Sequence, residues 1–128
     1  MSKRRILVVD DEKSIRSLYK SALVTQGYEV YAAESGEEAL ELLKTEPINV
    51  MFLDLNLPGM SGIQLCRKIM QKSPTAICIA VTGYASDFEL ADCKEAGFED
   101  YFKKPMPLGE LFNASKAAFD KIDRWEKS

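Results

Sequence analysis

Short runs of consecutive apolar residues alternate along this chain with longer stretches whose apolar positions recur every three or four residues, the pattern of successive βα units. The runs predict strands at Arg5 to Val9, Glu29 to Ala32, Asn49 to Leu53, Ala76 to Val81 and Asp100 to Lys103. Between them, Ile15, Leu18, Tyr19, Ala22 and Leu23 predict one apolar helix face, and Ala39, Leu40, Leu42 and Leu43 a second. Ser35-x-x-Glu38 and Ser86-x-x-Glu89 have the form of capping boxes and predict helix starts, while Gly27 and Gly97 stand where helix C-terminal glycines belong. A last helix begins near Pro107, continues through Leu111, Phe112, Ser115, Phe119 and Ile122, and carries Trp125. Strands that are apolar nearly throughout belong in a parallel sheet covered by helices on both faces. Right-handed crossovers then bring every strand's C-terminal end to one edge, where such open sheets bind ligands.

Composition narrows the picture. The 128 residues suit one domain, spanning 1–128, long enough to bury roughly two thirds of its unfolded surface. With 46% hydrophobic and 29% charged residues the chain reads as soluble and globular, and its formal charge of −3 gives no basic field for direct nucleic-acid binding or for an anionic membrane. Cys66, Cys78 and Cys93 fall on apolar positions without CxxC spacing, so they read as reduced core thiols, which fits a cytoplasmic location. The apolar stretch after MSKRR ends at once in Asp10-Asp11-Glu12, which indicates neither a secretion signal nor a membrane span. The absence of histidine removes imidazole metal ligands, histidine-based triads and any role as a phosphohistidine donor.

The segment VMFLDLNLPGMSG, residues 50 to 62, poses the chemical question: an apolar run stops on Asp54 before a Pro-Gly turn. A carboxylate at the rim of a core is costly unless it caps the turn or meets a cation. On the same predicted edge the first strand ends in Asp10-Asp11, the fourth in Thr82-Gly83, and the fifth reaches Lys104-Pro105. Taken singly, a helix-capping aspartate, a turn threonine and a solvated lysine explain these residues. Together, three carboxylates repel unless cations sit among them. Lys104 supplies one positive charge and a hard divalent ion such as magnesium two more, which lets a phosphoryl group enter. Thr82 and backbone N–H groups then donate to it, and Asp54 becomes a nucleophile, as carboxylates that form aspartyl phosphates are.

ILVVDDE, LDLNLPGMSG, AVTGY and AGFEDYFKKP, in this order and spacing, resemble the receiver domains of two-component response regulators over nearly the whole chain. The resemblance implies a flavodoxin-like, doubly wound five-stranded parallel sheet of order 2-1-3-4-5 with five helices. It implies that Asp54 is the phosphoacceptor and that magnesium, or manganese, is held by Asp10, Asp11, Asp54 and the backbone carbonyl of Asn56. Thr82 and Lys104 match the phosphoryl-binding pair, Tyr101 the aromatic switch, and Lys104-Pro105 the usual cis peptide. Lys103 and Lys104 point to opposite faces, and the family spacing selects Lys104. Met106 stands where a phenylalanine often follows the proline. Asn56 and Tyr84, two residues beyond Asp54 and Thr82, flank the path of an attacking water and are expected to set the lifetime of the phosphorylated state.

The implied function is a signalling module, not an enzyme beyond its own Mg-dependent phosphorylation and dephosphorylation. It takes a phosphoryl group from a sensor histidine kinase or a histidine phosphotransfer protein and changes its surface at the fourth helix, fifth strand and fifth helix toward a downstream protein or output domain. A phosphorylation-dependent homodimer is a further possible outcome. Three other readings compete. A phosphatase of the haloacid dehalogenase type wants a second aspartate two residues beyond the first, where this chain has Asn56, and a cap domain. A receiver-like interaction module that takes no phosphate lacks some member of the constellation, and none is missing here. In a flavodoxin-like cofactor binder the first loop welcomes phosphate, which Asp10-Asp11-Glu12 repels without a metal.

Overall fold

Side chains alternate across each pleated strand, and in this chain both sides of the alternation are apolar, so the sheet has to be covered twice. The computed structural model describes residues 4–83 and 86–126, with Asp87 and Phe88 described by backbone alone. In chain order the elements are β1 (Arg5–Val9), α1 (Lys13–Thr25), β2 (Glu29–Ala33), α2 (Gly36–Leu43), β3 (Val50–Asp54), α3 (Gly62–Lys72), β4 (Ile77–Thr82), α4 (Asp87–Ala96), β5 (Asp100–Lys103) and α5 (Leu108–Glu126). All neighbouring strands are parallel, in the order β2-β1-β3-β4-β5. The flavodoxin-like expectation therefore describes the fold.

Ile6, Val8, Phe52 and Ile79 face one layer and pack with Tyr19 and Leu23 of α1 and Leu111 and Phe119 of α5. Leu7, Val9, Met51, Leu53 and Cys78 face the other, with Ala39 of α2, Leu65, Cys66 and Ile69 of α3, and Ala96 of α4. The three cysteines are free and buried. Phe119 stacks on Tyr28 with 5.2 Å between ring centroids, and Arg4 lies 5.2 Å over the same ring while pairing with Asp123. These contacts hold α5 against the start of the sheet.

Several expectations shift. Leu18 is 48% exposed, because it sits roughly a quarter turn from the centre of the stripe that Ile15, Tyr19, Ala22 and Leu23 form. β3 and β4 each begin and end one residue later than predicted, with Asp54 opposite Val81, and β2 extends to Ala33. At both predicted capping boxes only half is made: Ser35 and Ser86 accept from the backbone N–H of Glu38 and Glu89. The complete box lies at Ser61, whose hydroxyl accepts from Gln64 N–H at 3.2 Å while Gln64 Oε1 accepts from Ser61 N–H at 3.0 Å. Gly27 and Gly97 have φ of 91° and 106°, the left-handed conformation that ends a helix without a Cβ penalty.

Candidate phosphoryl and metal site

Because every strand runs the same way, the register alone assembles the site. Asp10 follows β1, Asp54 ends β3, Thr82 ends β4 and Lys104 follows β5, all at the C-terminal edge. β1 and β3 flank the point where strand order reverses, so Asp10 and Asp54 border the crevice. Asp10, Asp54 and Thr82 are buried, while Asp11 and Glu12 are exposed above them.

Lys104 bridges the two buried carboxylates, with Nζ 2.8 Å from Asp10 Oδ2 and 3.2 Å from Asp54 Oδ2. Lys103, its neighbour, is exposed. The other carboxylate oxygens are held locally: Asp10 Oδ1 accepts from Glu12 N–H at 2.9 Å, and Asp54 Oδ1 from Asn56 N–H at 3.1 Å. Arg16 donates to the Asp10 carbonyl at 2.9 Å and fixes the turn from behind. Asn56 Nδ2 donates to Thr82 Oγ1 at 3.4 Å, and Lys104 N–H to the Thr82 carbonyl at 2.7 Å. The Lys104-Pro105 peptide is cis.

Burial pushes the Asp54 carboxyl above its ordinary value. The Asn56 amide opposes this, Asp10 reinforces it, and Lys104 opposes it without cancelling it. Burial works against the Lys104 charge as well, but Asp10 and Asp54 outweigh it and raise the ammonium pKa. The two shifts are compatible: the lysine gains two acidic neighbours, whereas Asp54 gains a cation together with a like charge in a poorly solvated place.

The donor set fits a hard divalent cation. Carboxylate oxygens of Asp10, Asp11 and Glu12 lie within 4.8 Å of one another, and magnesium and manganese favour such oxygens along with carbonyls and water. Glu12 joins the site without a sequence motif that singles it out. Its Oε1 also lies 3.8 Å from Lys104, and its adjacency to Asp10-Asp11 was the available signal. Gly62 was likewise legible only as part of a motif. A Cβ there would collide with the Asp54 carbonyl and lie 2.8 Å from Leu55 Cα, so α3 starts directly against the backbone that carries Asp54. Gly62 N–H donates to Leu55 O at 3.0 Å. Tyr101 is half-buried on β5 against the cluster of Leu55, Ala80 and Cys93. Tyr84 lies outside the described residues.

The family model for the response regulator receiver domain matches residues 6–116. Among solved structures, a CheY-like response regulator receiver domain protein from Methanospirillum hungatei JF-1 is 36% identical, with a TM-score of 0.90 and 98% of each chain covered. A BeF3-activated DrrB receiver domain is 31% identical, with a TM-score of 0.85, covering 93% of this chain and 99% of that one. A cyclic di-GMP phosphodiesterase of Thermotoga maritima is 39% identical over 103 residues, 80% of this chain but only 27% of that protein. Its named activity is a statement about that protein. With the parallel sheet, the strand-end carboxylates and the match over most of its length, this chain belongs to the response regulator receiver domain family.

Proposed function

We propose that residues 1–128 act as one receiver domain that accepts a phosphoryl group on Asp54 and thereby changes its affinity for a partner. The observation that carries this reading is the setting of Asp54: buried at the end of β3, held at Oδ1 by the Asn56 amide and at Oδ2 by Lys104, beside Thr82 and below an acidic cluster. A nucleophile so fixed needs positioning and charge neutralisation more than a separate base.

A carboxylate oxygen of Asp54 forms a bond to phosphorus as the bond from phosphorus to the donor's imidazole nitrogen breaks. The electron pair leaves with that nitrogen, and the donor is a sensor histidine kinase or a histidine phosphotransfer protein. Asp10, Asp11, Asp54 and the Asn56 carbonyl would hold magnesium or manganese, which when bound would supply positive charge against the phosphoryl oxygens. Lys104 exchanges its contact with Asp54 for one with the transferred group, and the Thr82 hydroxyl donates to a second oxygen. Tyr101 then turns, and the surface of α4, β5 and α5 presents a new face to a downstream protein, an output domain or a second copy.

The chemistry is self-modification and its reversal, not turnover of an external substrate. Direct contact with nucleic acid or membrane plays no part in this proposal, and among the described residues no helix is long and apolar enough to cross a membrane. Three free cysteines suit the reducing cytoplasm where such donors work. Incubation with magnesium and acetyl phosphate, followed by intact-mass measurement, tests the reading: one hydroxylamine-sensitive phosphoryl group should appear, and none in EDTA. No adduct under either condition would refute phosphoryl acceptance.

A further inference from the structure

Among the described residues, two buried side-chain polar atoms lack a hydrogen-bond partner, Glu89 Oε1 on α4 and the Tyr101 hydroxyl on β5. Glu89 stands three residues beyond Ser86, where a capping box would turn its carboxylate back to the Ser86 N–H, as Gln64 does at Ser61. Glu89 forgoes that bond. One helical turn further, Cys93 is buried in the cluster against which Tyr101 packs, so Glu89 lies on the side of α4 that faces Tyr101. Burial first, then the Glu89 carboxylate and Cys93, push the Tyr101 phenol up, as expected when a carboxylate lies near the ring. A phenol hydroxyl is a donor and a carboxylate an acceptor, and each alone bears the desolvation cost of an unmade bond.

We propose that Glu89 is the positioning residue for Tyr101, accepting its hydroxyl in the switched state, so that two buried groups unpaired in the present state join when the α4–β5 surface changes. α4 is suited to such a shift because the side chains it buries among the described residues, Cys93 and Ala96, are small. The pairing favours the switched state by the unmade bonds it removes, and a ligand at Asp54 has correspondingly less to supply. This inference rests on the receiver reading and gives this chain's switch a specific acceptor.

The test uses protein carrying 13C at tyrosine Cζ, with Tyr101→Phe identifying the resonance, titrated with magnesium and beryllofluoride. In the wild type the Tyr101 Cζ signal should move as the hydroxyl becomes a donor to the carboxylate. Glu89→Gln keeps an acceptor oxygen and should retain a smaller displacement. Glu89→Leu should lose it and lower the ratio of switched to unswitched amide signals about tenfold, while the fluorine signal of bound beryllofluoride persists. Glu89→Leu/Tyr101→Phe should respond as Glu89→Leu does. A wild-type response in Glu89→Leu overturns the pairing, as does Glu89→Gln behaving like Glu89→Leu. Absence of any bound-fluoride signal in the wild type overturns the receiver reading and the pairing with it.

Discussion

The side-chain amide of Asn56 reaches across from the β3 turn and donates to the hydroxyl of Thr82 at 3.4 Å. The residue expected to steer an attacking water is thus also in contact with the residue expected to bind the phosphoryl group. An amide at that place can orient a water for in-line attack once Thr82 turns to the phosphoryl oxygen. Asn56→Ala should therefore lengthen the life of the aspartyl phosphate by about threefold to tenfold, the upper figure being about 1.4 kcal/mol in the barrier. Loss of phosphorylated mass after donor removal, at fixed magnesium, checks this. Magnesium affinity should change little, because the backbone carbonyl of residue 56 remains.

Charge at Asp54 is held at the expense of the fold. Its folded-state pKa is raised, so the folded chain takes up this proton at higher pH than the unfolded chain does. The contribution of Asp54 to stability is accordingly greatest while it is protonated and declines as pH rises through its folded pKa. Metal-free Asp54→Asn should melt above wild type at pH 7, each kcal/mol appearing as roughly 4 °C, and the gap should narrow as pH falls. A variant that melts lower at pH 7 would mean that the Lys104 pair outweighs burial.

The acidic cluster predicts a linked stabilisation by metal. At ten times its dissociation constant magnesium should add about 1.4 kcal/mol to the folded state, reversed by EDTA. Asp11→Asn should lose most of this increment. Glu12→Gln should keep the larger part, since Glu12 sits at the exposed rim with its carboxylate 3.8 Å from Lys104. Melting curves with and without magnesium separate the two.

The parts of this molecule legible in the sequence are those that depend on local pattern. β1 lies where the apolar run puts it, because a strand buried on both faces leaves an uninterrupted apolar signature and charged residues stop it. The acidic and basic strand ends were legible for the same reason, since parallel connections convert five sequence positions into one edge. What escaped depends on tertiary approach. Whether Glu89 would cap α4 or turn inward is undecided by Ser86-x-x-Glu89, which has the same form as Ser35-x-x-Glu38. Leu18 could not be distinguished from Tyr19 by polarity, although only Tyr19 is buried. The Asn56–Thr82 bond joins residues 26 apart and has no local signature.

Gly62 shows such an approach with a measurable consequence. A methyl group there meets backbone rather than a flexible side chain, so either α3 or the Asp54 turn has to move. Gly62→Ala should cost about 2–4 kcal/mol in urea unfolding and slow phosphorylation by acetyl phosphate through displacement of Asp54. Stability and rate equal to wild type would show that the helix start yields freely.

Asp54, and no other carboxylate of the cluster, should receive the phosphoryl group. Peptide mapping by mass spectrometry after acetyl phosphate treatment in magnesium, with the acyl phosphate trapped by borohydride reduction, tests it most directly. Modification is expected at Asp54 alone, absent from Asp54→Asn and absent in EDTA. Modification at Asp10, Asp11 or Glu12 of the wild type, or an unchanged adduct in Asp54→Asn, would contradict it.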